Sequence, residues 1–157
     1  MLETTHALVA GAIAAHTKDP VTAITLSFLS HFLLDAVPHW DFGTNWRQRR
    51  KLYTGIVAIT DVAIGFGLGY LLFGNTVALP LLFGAITASM IPDWLEAPWY
   101  IFFATHAKKE PAKHAGFFER FTYGIYQLES KFHHKTEFPL GVITQVVAVA
   151  FFFYLLK

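Results

Sequence analysis

The chain has 157 residues, of which 54% are hydrophobic, 17% aromatic and only 15% charged, with a mean hydropathy of +0.43. Soluble domains carry about 25% charged residues, and one core of this size cannot hide so many large apolar side chains behind a polar surface, so the expected solvent is the lipid bilayer and disorder is excluded. The absence of cysteine rules out disulfides, thiolate metal sites and thiol nucleophiles, and a net charge of +1 gives no global reason to expect nucleic acid.

The N-terminal stretch MLETTHALVAGAIAAHTKDP carries an acid where a secretory signal would carry bases, and we expect it to be mature sequence. Its apolar part, Thr4 to His16, is short for a span, which takes roughly 17–25 residues at about 1.5 Å each. Ala7, Gly11 and Ala15 give it one narrow face. The second segment, Pro20 to Val37, starts with a proline in its first turn and stops before Pro38. The third, Leu52 to Phe73, ends at Gly74-Asn75, and its Asp61, Gly65 and Gly69 recur at i, i+4, i+8, which sets one acid on a small-residue face. Val77 to Ile91 is a short fourth segment, and Phe138 to Leu156 is a fifth with no charged residue.

Between Glu96 and Glu137 the character changes to an interfacial or cytoplasmic insertion. An aromatic run (Trp99, Tyr100, Phe102, Phe103) precedes a stretch in which Phe117, Phe121, Ile125, Leu128 and Phe132 recur at helical spacing, with Glu119, Arg120, Glu129 and Lys131 on the other side. That pattern predicts an amphipathic helix lying along a membrane surface. Nothing alternates with period two over the lengths a barrel needs. The expected fold is therefore all-α, one membrane-embedded domain over 1–157: a multi-span bundle of about five transmembrane helices with an interfacial amphipathic helix. A faint internal echo aligns Pro38-His39-Trp40 with Pro92-Asp93-Trp94, each after an apolar helix.

If successive spans alternate, Arg47, Arg49, Arg50, Lys51, Lys108, Lys109, Lys113, Arg120, Lys131 and Lys135 fall on one side and only Lys18 and Lys157 on the other. Such an imbalance places the basic side in the cytoplasm. The same side collects the ionisable residues within or beside apolar helices: His6, His31, Asp35, His39, Asp41, Asp61, Asp93 and Glu96. His31 and Asp35 share a helix face at i, i+4, and Asp61 sits about 13 Å into its helix. A charge near the bilayer centre costs roughly 2.5–3.5 kcal/mol even on the lenient insertion scale, so these groups are expected to turn toward each other. Carboxylates and imidazoles without a buried Lys or Arg call for a divalent cation, and nitrogen with oxygen ligands suits zinc best, then manganese or iron. His6, His31, Asp35 and Asp93 are the expected ligands. Asp61 is the expected base or additional ligand, with His39 and Asp41 beside the metal. Glu96, His106, His114, His133 and His134 read as interfacial polar residues, the His133-His134 pair being the most suggestive, and the Arg47 to Lys51 cluster reads as the positive anchor.

The runs THALVAGAIA, LSHFLLDAVPHWD and IPDWLEAPWY resemble the inner-membrane-associated, LexA-binding metal-dependent hydrolases, small multi-span proteins with an N-terminal Thr-His and a Pro-Asp-x-Asp after the second helix. Thr5-His6 matches the first motif. Pro38-His39-Trp40-Asp41 occupies the second with His39 in place of its first Asp, and the family's Arg-Gly-x-Thr-His-Ser element has no counterpart, so the resemblance is to a divergent member. His31 and Asp35 also match the His-x-x-x-Asp of zinc-dependent phospholipase C, a looser likeness. The resemblance implies hydrolysis of a phosphoester by metal-activated water, on an amphiphilic substrate such as a phospholipid or an isoprenoid phosphate, with the bilayer as the other partner. The alternative is a non-catalytic membrane protein: a metal or proton carrier, or a bundle whose inward acids and histidines are structural. Oligomeric state is left open.

Overall fold

The computed structural model describes residues 1–17, 19–41, 50–105, 108 and 110–156; Lys18, Arg47, Arg49, His106, Lys109 and Lys157, named above, lie outside the described residues. The described residues form six α-helices and one π-helical turn: α1 (Glu3–Thr17), α2 (Pro20–Asp35), α3 (Lys51–Phe73), α4 (Leu79–Pro98), the turn Trp99–Phe103, α5 (Phe117–Phe132) and α6 (Leu140–Leu155). The only β-type pairing among them is an isolated parallel bridge between His39 and Lys135.

The short α1 is the hub. It packs on α2, α3, α4 and α6, and its buried residues (Thr5, His6, Ala7, Val9 to Ala14) surround it on every side. Small side chains make that possible. A Cβ on Gly65 would stand 3.1 Å from that of Ala7, one on Gly69 would stand 2.6 Å from Ile86 Cδ1, and one on Gly11 would enter the Phe73 ring. Overlap of this kind allows close backbone approach and forbids larger residues. The pairings Thr4 with Asp61, Ala7 with Gly65 and Gly11 with Phe73 advance together, so α1 and α3 run parallel. Asp19 caps α2 by accepting from Thr22 N at 2.8 Å, with Pro20 in the first turn.

Two expectations change. Of the three segments whose sequence length suffices for a span, only α3, with 23 residues, remains long and apolar enough in the fold. α2 stops at Asp35 because the chain turns at Ala36 ahead of Pro38, and α6 begins only after Phe138-Pro139 has turned. In contrast α4 runs through Pro92 to Pro98, so Asp93 and Glu96 lie inside it and not beyond its end. Pro38 ends a helix while Pro92 is carried within one, so the echo between the two stretches is not an echo in structure.

The apolar surplus lies outside. α3 exposes Ile59 (71%) and Leu71 (72%), α2 exposes Val21 (74%), and α6 exposes Val146 (61%). α5 is amphipathic as expected but turned over: Phe117 is 84% exposed, while Thr122 and Glu129, seven residues apart on one face, are buried against the bundle.

Candidate metal centre

Four helices and the segments that follow α2 and α5 bring titratable groups to one end of the bundle. α1 supplies His6 in its first turn, α2 supplies His31 and Asp35 from one face, and α4 supplies Asp93. α5 supplies Glu129, and the residue after it, His133, is four further along. Segment 133–136 is zipped to the end of α2 and the following loop by backbone hydrogen bonds: His134 N to Asp35 O (3.0 Å), His39 N to His134 O (2.9 Å) and Thr136 N to His39 O (2.8 Å). That zipper holds His133 against His39.

Three overlapping groups result: His6 with His31 and Asp93; His31 with Asp35 and Glu129; Asp35 with His39 and His133. Within each group one ligand atom per residue lies within 4.8 Å of the others. His31 joins the first two and Asp35 the last two. All the histidines except His133 are fully buried, as is Asp35.

The ring tautomers decide which nitrogens face the carboxylates. His31 Nδ1 lies 2.8 Å from the Ser89 carbonyl, which can only accept, so Nδ1 carries the hydrogen and Nε2 presents a lone pair in the neutral ring. That Nε2 faces Glu129 Oε2 at 3.2 Å and Asp35 Oδ2 at 3.8 Å. The contact with Glu129 is a hydrogen bond when Nε2 carries a second proton, and in the neutral ring a cation can take that proton's place. His39 repeats the pattern: Nδ1 donates to Val37 O at 2.8 Å, and Nε2 meets His133 Nε2 at 3.0 Å. Burial, then the nearby amine of Met1, pushes the His39 pKa down to about 4, which keeps the ring neutral. An imidazole that gives its second N–H to a backbone carbonyl is the usual arrangement of a metal ligand.

His6 is the sharper case. Its ring stacks on His31 with centroids 4.4 Å apart, and its Nε2 lies 3.2 Å from Asp35 Oδ1. Yet neither ring nitrogen makes a hydrogen bond, although the residue is wholly buried. Asp35 Oδ2 is likewise without a hydrogen bond despite approaching His133 Nδ1 at 2.9 Å. The Met1 amine pairs with the other oxygen, Oδ1. Among the described residues no lysine or arginine side chain forms an ion pair with Asp35 or Glu129. Buried polar atoms without partners cost roughly 1–3 kcal/mol each, and a nitrogen and oxygen donor set left open in this way fits a zinc-class divalent cation.

The other expected residues lie around this centre. Asp41 sits at its rim, 3.9 Å from His133 Nε2 and 2.5 Å from Lys135 Nζ. Burial works to raise the Asp41 pKa, but Lys135, together with His133 and the Met1 amine, outweighs it and the carboxyl titrates below its ordinary value. Asp61 belongs to none of the three groups. It accepts from Glu3 N (2.7 Å), Thr4 N (3.3 Å) and Thr4 Oγ1 (2.6 Å), and so caps the first turn of α1 from a neighbouring helix. His134 is exposed, its Nδ1 donating to Phe132 O. Glu129 was unforeseen. In sequence it belongs to the charged side of an amphipathic helix, and only its i, i+4 relation to His133 hints otherwise.

A cavity of about 660 Å³ adjoins the centre, bounded by Met1 to Glu3, the first half of α3, the end of α4 and His133. Compared with protein-family models, with curated proteins and with solved structures, the chain matches none.

Proposed function

We propose that this protein is a membrane-embedded, metal-dependent hydrolase acting on a phosphoester in an amphiphilic or lipid substrate at the cytoplasmic side of a prokaryotic inner membrane. The observation that carries the reading is the buried His31, held by the Ser89 carbonyl with its Nε2 turned to the carboxylates of Glu129 and Asp35. The apolar outer faces of α2, α3 and α6 support a lipid environment, with about five helices embedded, and the Thr5-His6 and Pro38 to Asp41 motifs support the hydrolase class.

His6, His31, Asp35 and Asp93 would hold the cation, with Glu129, His39 and His133 completing the shell or holding a second ion. A bound cation of this class brings the pKa of water close to 7 and stabilises charge on phosphoryl oxygens. Ser89 O and Val37 O fix the orientation of His31 and His39. Lys135 offers a positive charge at the rim for the ester's phosphoryl group. Asp41, held ionised beside Lys135, is a poor base. Glu96, one turn along α4 from Asp93 and on the cavity wall with it, is the better-placed proton acceptor. Asp61 acts by holding the N-terminus of α1, and with it His6, in place.

Purified protein, assayed for bound metal and for turnover of generic phosphoesters with and without chelator, tests this. Stoichiometric zinc, manganese or iron with chelator-sensitive turnover is expected. Metal without turnover would establish the carrier instead, and protein that takes up no metal after supplementation would leave a structural bundle.

A further inference from the structure

The cavity beside the metal centre has two unlike sides. Asp93, Glu96 and His133 form one. The other is an apolar stripe on α3, where Gly55, Ala58, Ile59 and Val62 recur at i, i+3, i+4, i+7 and so share a face about 10 Å long. Trp94 and Ile101 line the same cavity. No protein atom fills the space next to it: a Cβ built on Gly55 would meet nothing within 4 Å. Lys51 Nζ donates to Ile101 O at 2.6 Å, tying α3 to the π-helical turn one helical turn before Gly55. Ile59, 71% exposed, carries the stripe out onto the apolar outer face of α3, where Ile56 is 56% exposed. The opening is therefore sideways, toward the surface that bears the exposed aliphatic residues.

Polar groups that work on an ester need only the first side. At about 660 Å³ the cavity is within the range of small-molecule sites, roughly 300–1,000 Å³, and its α3 side is hydrocarbon apart from Asp61, whose carboxylate is taken up by Glu3 and Thr4. We infer that this slot is a chain-binding site: it admits the aliphatic tail of an amphiphile laterally, lays it along Gly55, Ala58 and Val62, and so delivers the ester end to Asp93 and His133. The placement of the ester end rests on the hydrolase reading; the tail site does not. Ala58, at the middle of the stripe, sets how much chain is accepted.

The test is a binding series of n-alkyl phosphates, from butyl to dodecyl, on zinc-loaded full-length protein held in amphipol free of detergent. Burial of one methylene is worth about fourfold in affinity, so the dissociation constant should fall about that much per carbon and level off once the tail outruns the stripe. Ala58→Trp should flatten the series, weakening dodecyl phosphate at least tenfold while butyl phosphate binding and zinc content stay as in wild type. Ala58→Leu, a smaller intrusion, should shorten the rising part by several carbons, and it serves if the tryptophan variant does not fold. A flat series in wild type, or an unaltered slope in an Ala58 variant that retains zinc, overturns the inference. The two readings fail separately. A normal slope with no phosphoester turnover removes the hydrolase and keeps the slot, and turnover of short soluble esters with a flat slope does the reverse.

Discussion

In the half of the bundle away from the cavity, Ala7, Ala10 and Ala14 of α1 meet Leu82, Ile86 and Met90 of α4 in a continuous apolar cluster. One turn or so toward the other end, the same two helices present His6 and Asp93, which gather with His31 of α2. The first set is complete: each side chain is covered by others and nothing polar is left over. The second, with His6 and His31 buried and Asp93 partly so, is incomplete: it leaves unpartnered nitrogens on His6 and, beside it, an unpartnered oxygen on Asp35. Apolar packing and close-approaching glycines join α1, α3 and α4 along the first half. Groups left unsatisfied in an interior cost stability, and here they stand in clusters that could hold a metal ion.

This contrast is open to direct attack, and the largest effect is expected at Asp35, which two of the ligand groups share. Asp35→Asn should lose metal through purification, a drop beyond the about 10–100-fold typical of removing an outer-shell partner; elemental analysis reads it, and full metal content in the variant would dissolve the centre as drawn. Leu82→Ala should do the opposite, lowering unfolding stability by about 2–5 kcal/mol through the void it leaves while the metal content per folded molecule stays unchanged. His6→Leu separates the two halves most sharply. It removes unpartnered buried nitrogens, so metal-free protein should gain about 1 kcal/mol in a denaturation experiment even as metal affinity falls; a loss of stability would mean that His6 is structural. Asp61→Ala should cost about 0.5–2 kcal/mol from the lost cap on α1, with metal retained. Metal lost together with an intact unfolding midpoint would return Asp61 to the ligand set.

Much of the helical framework is legible in the residues. The prolines at positions 20 and 38, the glycine at 74 and the periodic phenylalanines from 117 to 132 mark helix boundaries through backbone chemistry that acts locally. The i, i+4 pair of His31 and Asp35 could be placed on one face for the same reason. The centrality of α1 could not. Its short apolar run looks like a marginal span, and only the fit of Ala7 on Gly65 and of Gly11 on Phe73 makes it the hub.

Hydropathy thus decides that these segments are helices with apolar faces and that imidazoles and carboxylates cluster toward one end, since both follow from residue type and a spacing of 3.6. Which of them meet is a matter of how helices rotate about their axes when packed, and that depends on contacts between residues far apart in the chain. α5 is the plain case: its pattern assigns Glu129 to the polar side in either orientation, but packing turns that side inward, onto His31, and the phenylalanines out. Asp61 is the converse, an acid in an apolar helix whose burial is answered by the free N–H groups at the start of a neighbouring helix. No local pattern encodes that register, because the partner lies 57 or 58 residues away.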